Sequence, residues 1–191
     1  MRHGIHARPT RGLPGRGGAG PDRPRLPAAL RGINPGLWTA ATGAHFARPG
    51  NRFYPALLRA GIVDRPIDPT TGMSDEDRSL LVARGIGITN IAHRATARAD
   101  ELTAEELQTG GVRLRETVAR VRPRVVAVAG ITAYRTAFGM RKAVAGRQPE
   151  GFEGAALWVV PNPSGLNAHD TVDSLARAYR AAAVDAGVVS D

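Results

Sequence analysis

Apolar residues recur in this chain with two different periods, and the alternation between them sets out most of the elements. Gly85 to Ala92 alternates at period two and predicts a strand. Arg124 to Ala129 is a β-branched run ending at Gly130 and predicts a second strand, followed by a helix from Thr132 to Phe138. Leu157 to Val160 predicts the last strand. Helical spacing governs the rest. Phe53 to Ala60 turns Leu57 and Leu58 inward and stops at Gly61. Ser74 or Asp75 caps a helix through Ala83 that carries Leu80, Leu81 and Val82. Thr103 and Glu106 form a capping box that opens a helix through Val121, with Leu107, Leu114 and Val118 on one face and Gly110 and Gly111 left for close packing. Asp170 to Ala186 places Val172, Leu175, Ala176, Tyr179 and Ala183 on a core face. Strands and helices that alternate in this way indicate an α/β protein. Residues 139–153 read as mixed loop.

Two stretches follow neither period. Residues 32–54 are dense in Gly and Pro yet carry Asn34, His45, Phe46 and Asn51, so they read as a long ordered loop of the functional kind. Pro35 biases Asn34 away from helix, and Gly36 lets backbone N–H groups face a ligand. The Asn34 amide cannot serve as a base, but it can accept from a water and donate to a carbonyl. Phe46 offers a flat face to a planar heterocycle, with Gly43 and Gly50 allowing close approach. The second stretch, residues 159–167, breaks from an apolar run into Asn162-Pro163-Ser164-Gly165-Leu166-Asn167. Small residues around one exposed apolar side chain suit a wedge that fills the gap left by an extruded nucleotide. Each loop alone is equally an ordinary turn.

At 191 residues the chain is long enough for a single core, and with no cysteine it has no disulfide framework or thiolate metal site. No apolar run reaches membrane-spanning length, and the basic start lacks the apolar segment of a secretory signal, so a cytoplasmic protein is expected. The net charge is +9, of which residues 1–33 contribute +6 through seven Arg against one Asp. A basic segment of this kind is either a solvated tail or a contact to phosphates. The phosphate-loop string does not occur, and the one G-x-G-x-x-G match, Gly15 to Gly20, stands in the Arg-, Gly- and Pro-rich start with no apolar strand before it, which weakens the reading of a nucleotide-binding α/β protein.

Taken together and in this order, GINPGLWTAATGAHFARPGNRFY and PNPSGLN resemble the two signature motifs of the mismatch-specific uracil-DNA glycosylases, bacterial relatives of thymine-DNA glycosylase within the uracil-DNA glycosylase superfamily. The resemblance runs from about Gly32 to about Tyr179 and includes GITNIAHRATARADEL. It implies a three-layer α-β-α sandwich around a short, mostly parallel central sheet. It implies a monofunctional DNA repair enzyme that flips uracil, with thymine or ethenocytosine as further substrates, out of G·U-type mismatches in duplex DNA and hydrolyses the N-glycosidic bond. On this resemblance Asn34 positions the water. Phe46, Ile33, Gly36 and Asn51 bind the base. Asn162, Ser164, Gly165, Leu166 and Asn167 form the wedge that meets the mismatch. His45 belongs to the pocket wall. Asp100 has two readings: a catalytic carboxylate near the water, or a structural group that caps the next helix or pairs with Arg98. Double-stranded DNA is the partner, no metal or organic cofactor is required, and the protein is expected to be a nucleoid-associated monomer with no membrane contact.

The leader departs from the pattern. Residues 1–30 read as a disordered Arg-, Gly- and Pro-rich segment ahead of a domain at 31–188. The family pattern has an apolar strand running directly into the first loop, whereas here Pro24 and Pro27 stand in a segment without a β-branched run. The first strand is therefore expected to be degenerate or missing. A missing strand would free Asn34 from its place, and the alternative function is a catalytically weak or inactive DNA-binding relative.

Overall fold

The computed structural model describes residues 28–32, 41–92, 94 and 101–191, with residues 28–32 described by their backbone course alone. In chain order the described elements are β1 (Ala28–Gly32), α1 (Phe53–Arg59), α2 (Asp75–Ala83), β2 (Ile86–Asn90), α3 (Ala104–Val121), β3 (Val125–Ala129), α4 (Ile131–Phe138), β4 (Gly146–Arg147), β5 (Ala156–Val160) and α5 (Val172–Ala186). They build one sheet of order β2-β1-β3-β5-β4. β1 is parallel to both β2 and β3, β3 is parallel to β5, and only β4 runs antiparallel, against β5.

β3 shows why the molecule has three layers. Its five residues are all buried, and successive side chains leave opposite faces of the sheet. Val125, Ala127 and Ala129 join the core made with α1 and α5, where Leu57, Leu175 and Tyr179 are buried. Val126 and Val128 join the other core, made with α3 and α4 around Leu114, Val118 and Tyr134. One strand thus feeds two cores, and this agrees with the expected α-β-α sandwich.

Of the two expectations for the first strand, a poor substitute over Leu26 to Ile33 or none, the structure has the strand. Ala28–Gly32 is a complete five-residue strand, bonded on both sides, with Ala28 opposite Ile86 and Val125. Ala28, Ala29 and Leu30 stand in this strand, although the sequence assigns them to the leader. Two features reconcile the prolines with the sheet. Pro24 and Pro27 precede the paired segment, so neither removes a ladder hydrogen bond. Strand formation also depends more on neighbours than on intrinsic preference, and β1 has a partner on each edge. A missing strand, the ground for reading the chain as an inactive relative, is not what the structure shows; Asn34 itself lies outside the described residues.

The helices begin and end largely where their capping residues stand. Ser74 Oγ accepts from the Asp77 amide at the start of α2, and Thr103 and Glu106 make a reciprocal box at the start of α3. A second box joins Thr171 and Ser174 at α5. Gly110 and Gly111 do permit close packing. A Cβ on Gly110 would stand 2.3 Å from the Ile91 carbonyl oxygen, and one on Gly111 2.9 Å from that of Ala137. Their absence lets α3 seat against the end of β2 and against α4.

Candidate active site

The sheet register brings the loops of interest to one edge. Gly32 is opposite Asn90, Arg31 is opposite Val128, and Ala129 is opposite Val160, so the carboxyl ends of β1, β2, β3 and β5 form a row. Ligands of open α/β sheets bind outside such ends, where neighbouring strands connect in opposite directions. β1 and β3 satisfy this condition: β1 continues toward β2 on one side and β3 toward β5 on the other. Of the residues expected here, Ile33, Asn34, Gly36 and Asp100 lie outside the described residues.

The remainder of the first loop is built around an aromatic stack. Phe46 lies flat on Phe53, with centroids 4.0 Å apart and planes 22° from parallel, and Phe53 in turn meets Tyr54 edge-on. The Phe46 backbone has φ +57°, a left-handed conformation that is costly for a residue with a Cβ. Strain of this kind gathers at binding sites. The ring is only half-buried, whereas Ala44 and Ala47 on either side of it are fully buried. Asn51 braces the end of this loop. Its Oδ1 accepts from the Phe53 amide at 2.9 Å, which supports the start of α1.

His45 is held by two neighbours. Its carbonyl accepts from the Tyr54 hydroxyl at 3.1 Å, and its Nδ1 lies 3.2 Å from Asn90 Nδ2 at the end of β2. Burial lowers the imidazole pKa, the Asn90 hydrogen bond opposes that shift, and the positive charge of Arg78 adds to it. His45 therefore serves as a neutral strut of the wall. The sign of the linkage follows. Below the ordinary value of 6.5 the unfolded chain takes up the proton first, so stability present above that pH is lost as pH falls toward the folded pKa. Thermal melts from pH 8 to 5 should show wild type losing stability relative to His45→Gln. Parallel curves would contradict this.

On the far side of β2, Arg94 closes a loop. Its Nε and Nη2 donate to the two carboxylate oxygens of Glu106, and Nη2 also reaches the Glu101 carbonyl at 2.7 Å. The guanidinium, with the Thr103 amide, holds the Glu106 carboxyl down to about 2. Glu106 thereby caps α3 and pins the segment that contains Asp100 at both of its ends.

The second loop folds on itself. Asn162 Oδ1 accepts from the Ser164 amide, and Ser164 Oγ accepts from the Leu166 amide. Asn167 spends its side chain inside the loop: Nδ2 donates to the Asn162 carbonyl and to Asp170, and Oδ1 accepts from the His169 amide. Tyr179, whose pKa burial raises, stays protonated and donates to the Pro161 carbonyl. Leu166 at the tip is 61% exposed, unusual for so large an apolar side chain on a well-braced turn. Gly165 lies so close to the first loop that a Cβ there would stand 2.7 Å from the Gly50 carbonyl oxygen.

Two loops thus adjoin at the carboxyl edge of the sheet, one carrying Phe46 and the other tipped by Leu166. The model of the Uracil DNA glycosylase superfamily matches residues 19–185. The chain belongs to this superfamily. Members of the uracil DNA glycosylase superfamily are DNA glycosylases, hydrolases that act on DNA in base excision repair, and this coarse class applies here. Among the described residues no helix is long and apolar enough to cross a membrane.

Arg52 joins the two loops of the site: its guanidinium is directed at backbone carbonyls of the second loop, at Ser164, Asn167 and Asp170. Carbonyls carry no residue identity, so no motif could have signalled the contact.

Proposed function

We propose that this protein is a monofunctional, mismatch-specific uracil-DNA glycosylase, acting as a monomer on uracil opposite guanine in duplex DNA. The observation that supports it most is the pairing of the half-buried Phe46 ring with the exposed Leu166 on loops in contact at one edge of the sheet. A flipped uracil would stack on the face of Phe46 turned away from Phe53, while Leu166 fills the space it leaves. Asn34 holds a water against C1′ as the glycosidic bond lengthens and positive charge grows on the sugar. Backbone N–H groups near Ile33, Gly36 and Phe46 bind the uracil oxygens and steady the departing anion. Water adds its hydroxyl to C1′, the base leaves with the bonding pair and takes up a proton, and an abasic site remains. With Asn167 occupied inside its loop, contacts to the opposite guanine fall to backbone groups around Leu166.

The test is single-turnover excision from a duplex holding one G·U pair, compared with A·U and G·T. Free uracil with an intact abasic strand is expected, faster from G·U than from A·U. No base release, or strand cleavage accompanying it, would defeat the assignment. Asp100→Ala in the same assay tests its part in the chemistry: the next helix is capped by Thr103, so a catalytic carboxylate at Asp100 loses rate at unchanged stability, and an unchanged rate removes it from the reaction.

A further inference from the structure

We infer that Arg52 is a positioning residue that fastens the wedge loop to the base-pocket loop, so that extrusion and capture of the nucleotide are performed by one rigid body. This rests on the reading of the site as a base-flipping glycosylase. Arg52 closes the first loop, immediately before α1, and its own amide donates to the Pro163 carbonyl at 2.9 Å. Its Nη1 donates to the Asp170 carbonyl, and its Nη2 to those of Ser164, at 2.6 Å, and Asn167. Carbonyls at 163, 164, 167 and 170 thus converge on one residue, and Leu166 projects from the arc between the middle two. Among the described residues the guanidinium Nε is buried without a partner, so the group is committed to this loop at some cost in solvation.

Only a guanidinium fits. Its planar fork holds the Asp170 carbonyl on one nitrogen and those of Ser164 and Asn167 on the other, whereas an ammonium is a single point without that fixed pair of directions. The Gly50–Gly165 approach adds a second seam between the same loops. The turns inside the wedge loop do not depend on Arg52. Asn162, Ser164 and Asn167 make them among themselves, and Asp170 holds Asn167 and Ser174 with its carboxylate. Loss of Arg52 should therefore leave the loop folded and cut its attachment. A wedge that must push between stacked bases then yields backward, and the defect lies in extrusion rather than in bond cleavage.

The experiment uses the full chain as wild type, Arg52→Gln and Leu166→Ala, on two duplexes. One places uracil opposite guanine. The other places it opposite a pyrene nucleoside, whose bulk occupies the stack and leaves uracil no room within it. Both variants should excise about tenfold or more slowly from G·U and regain most of that loss opposite pyrene, since extrusion is what costs unstacking energy. Equal slowing on both duplexes, or no slowing on G·U, overturns the inference. Gly165→Val, which drives a side chain into the Gly50 carbonyl, should give the same pattern and replaces Arg52→Gln if that variant does not fold. Amide exchange provides a reading without DNA: residues 164–170 should exchange faster in Arg52→Gln while β3 and β5 stay as protected as in wild type. Unchanged protection in that loop also overturns the inference. A wild-type protein inert on both duplexes would sink the glycosylase reading, and the exchange result would still decide whether Arg52 anchors the loop.

Discussion

Asn34→Ala is expected to slow uracil release from a G·U duplex by about 10²- to 10⁴-fold, the range lost with a single well-placed catalytic group. Duplex binding should be nearly unchanged, because affinity for DNA is dominated by contacts to phosphates. The expectation draws on the strand beneath the residue. Asn34 follows Gly32 by two positions, and Gly32 closes a strand whose neighbours on both sides hold it in register. A group at the end of an anchored strand can hold a water to the tolerance that proximity effects require. Had the strand been absent, the same substitution would cost little, since a drifting amide contributes little to lose. Single-turnover rates for the two proteins decide the matter, and a variant within a few-fold of wild type would remove Asn34 from the chemistry.

Gly110→Val should destabilise the fold by about 2 kcal/mol, within the range for forcing bulk into a packed interior. For a domain of this size that lowers the melting temperature by roughly 4–8 °C. Two effects oppose each other at this site. Glycine inside a helix is unfavourable by about 1 kcal/mol relative to alanine, so a side chain ought to help α3 in isolation. Against that, a Cβ would stand 2.3 Å from the Ile91 carbonyl oxygen and 2.8 Å from Ile91 Cγ2, and a backbone carbonyl cannot rotate out of the way. Packing wins. Ile91 also leads from β2 into the segment of Arg94 and Asp100, so uracil release should weaken together with stability. A Gly110→Val protein that melts at or above the wild-type temperature would show that helix preference had prevailed. Gly111→Ala, with its nearest backbone oxygen at 2.9 Å, should cost less.

What could be read from the sequence followed from how local the cause was. The Thr103–Glu106 box lies within four residues and was legible, as was β3, whose Val-Val-Ala-Val-Ala string is buried on both faces. β1 was not, because Ala-Ala-Leu-Arg-Gly has no β-branched residue and owes its conformation to strands more than fifty residues away. The two-residue β4 gives no periodicity to detect, and it lies in what reads as loop. In the site, the aromatic character of the first loop and the exposure of Leu166 were foreseen from residue types. The left-handed backbone of Phe46 was not, since glycine is the usual marker of positive φ. Asn51 and Asn167 were assigned to ligands, yet the described parts of their amides are tied to backbone and to Asp170. A polar side chain in a loop motif announces that it will bond, without saying to what.

The orientation of β1 bears on the basic leader. β1 begins at Ala28, its amino end, and the proposed site lies past Gly32 at the opposite edge. One strand length, about 16 Å, separates the two. The six arginines that precede Ala28 in the sequence are therefore tethered at the end of β1 away from that edge. Trimming the leader should therefore change how long the enzyme stays on DNA between encounters, and not how fast a captured uracil is cut.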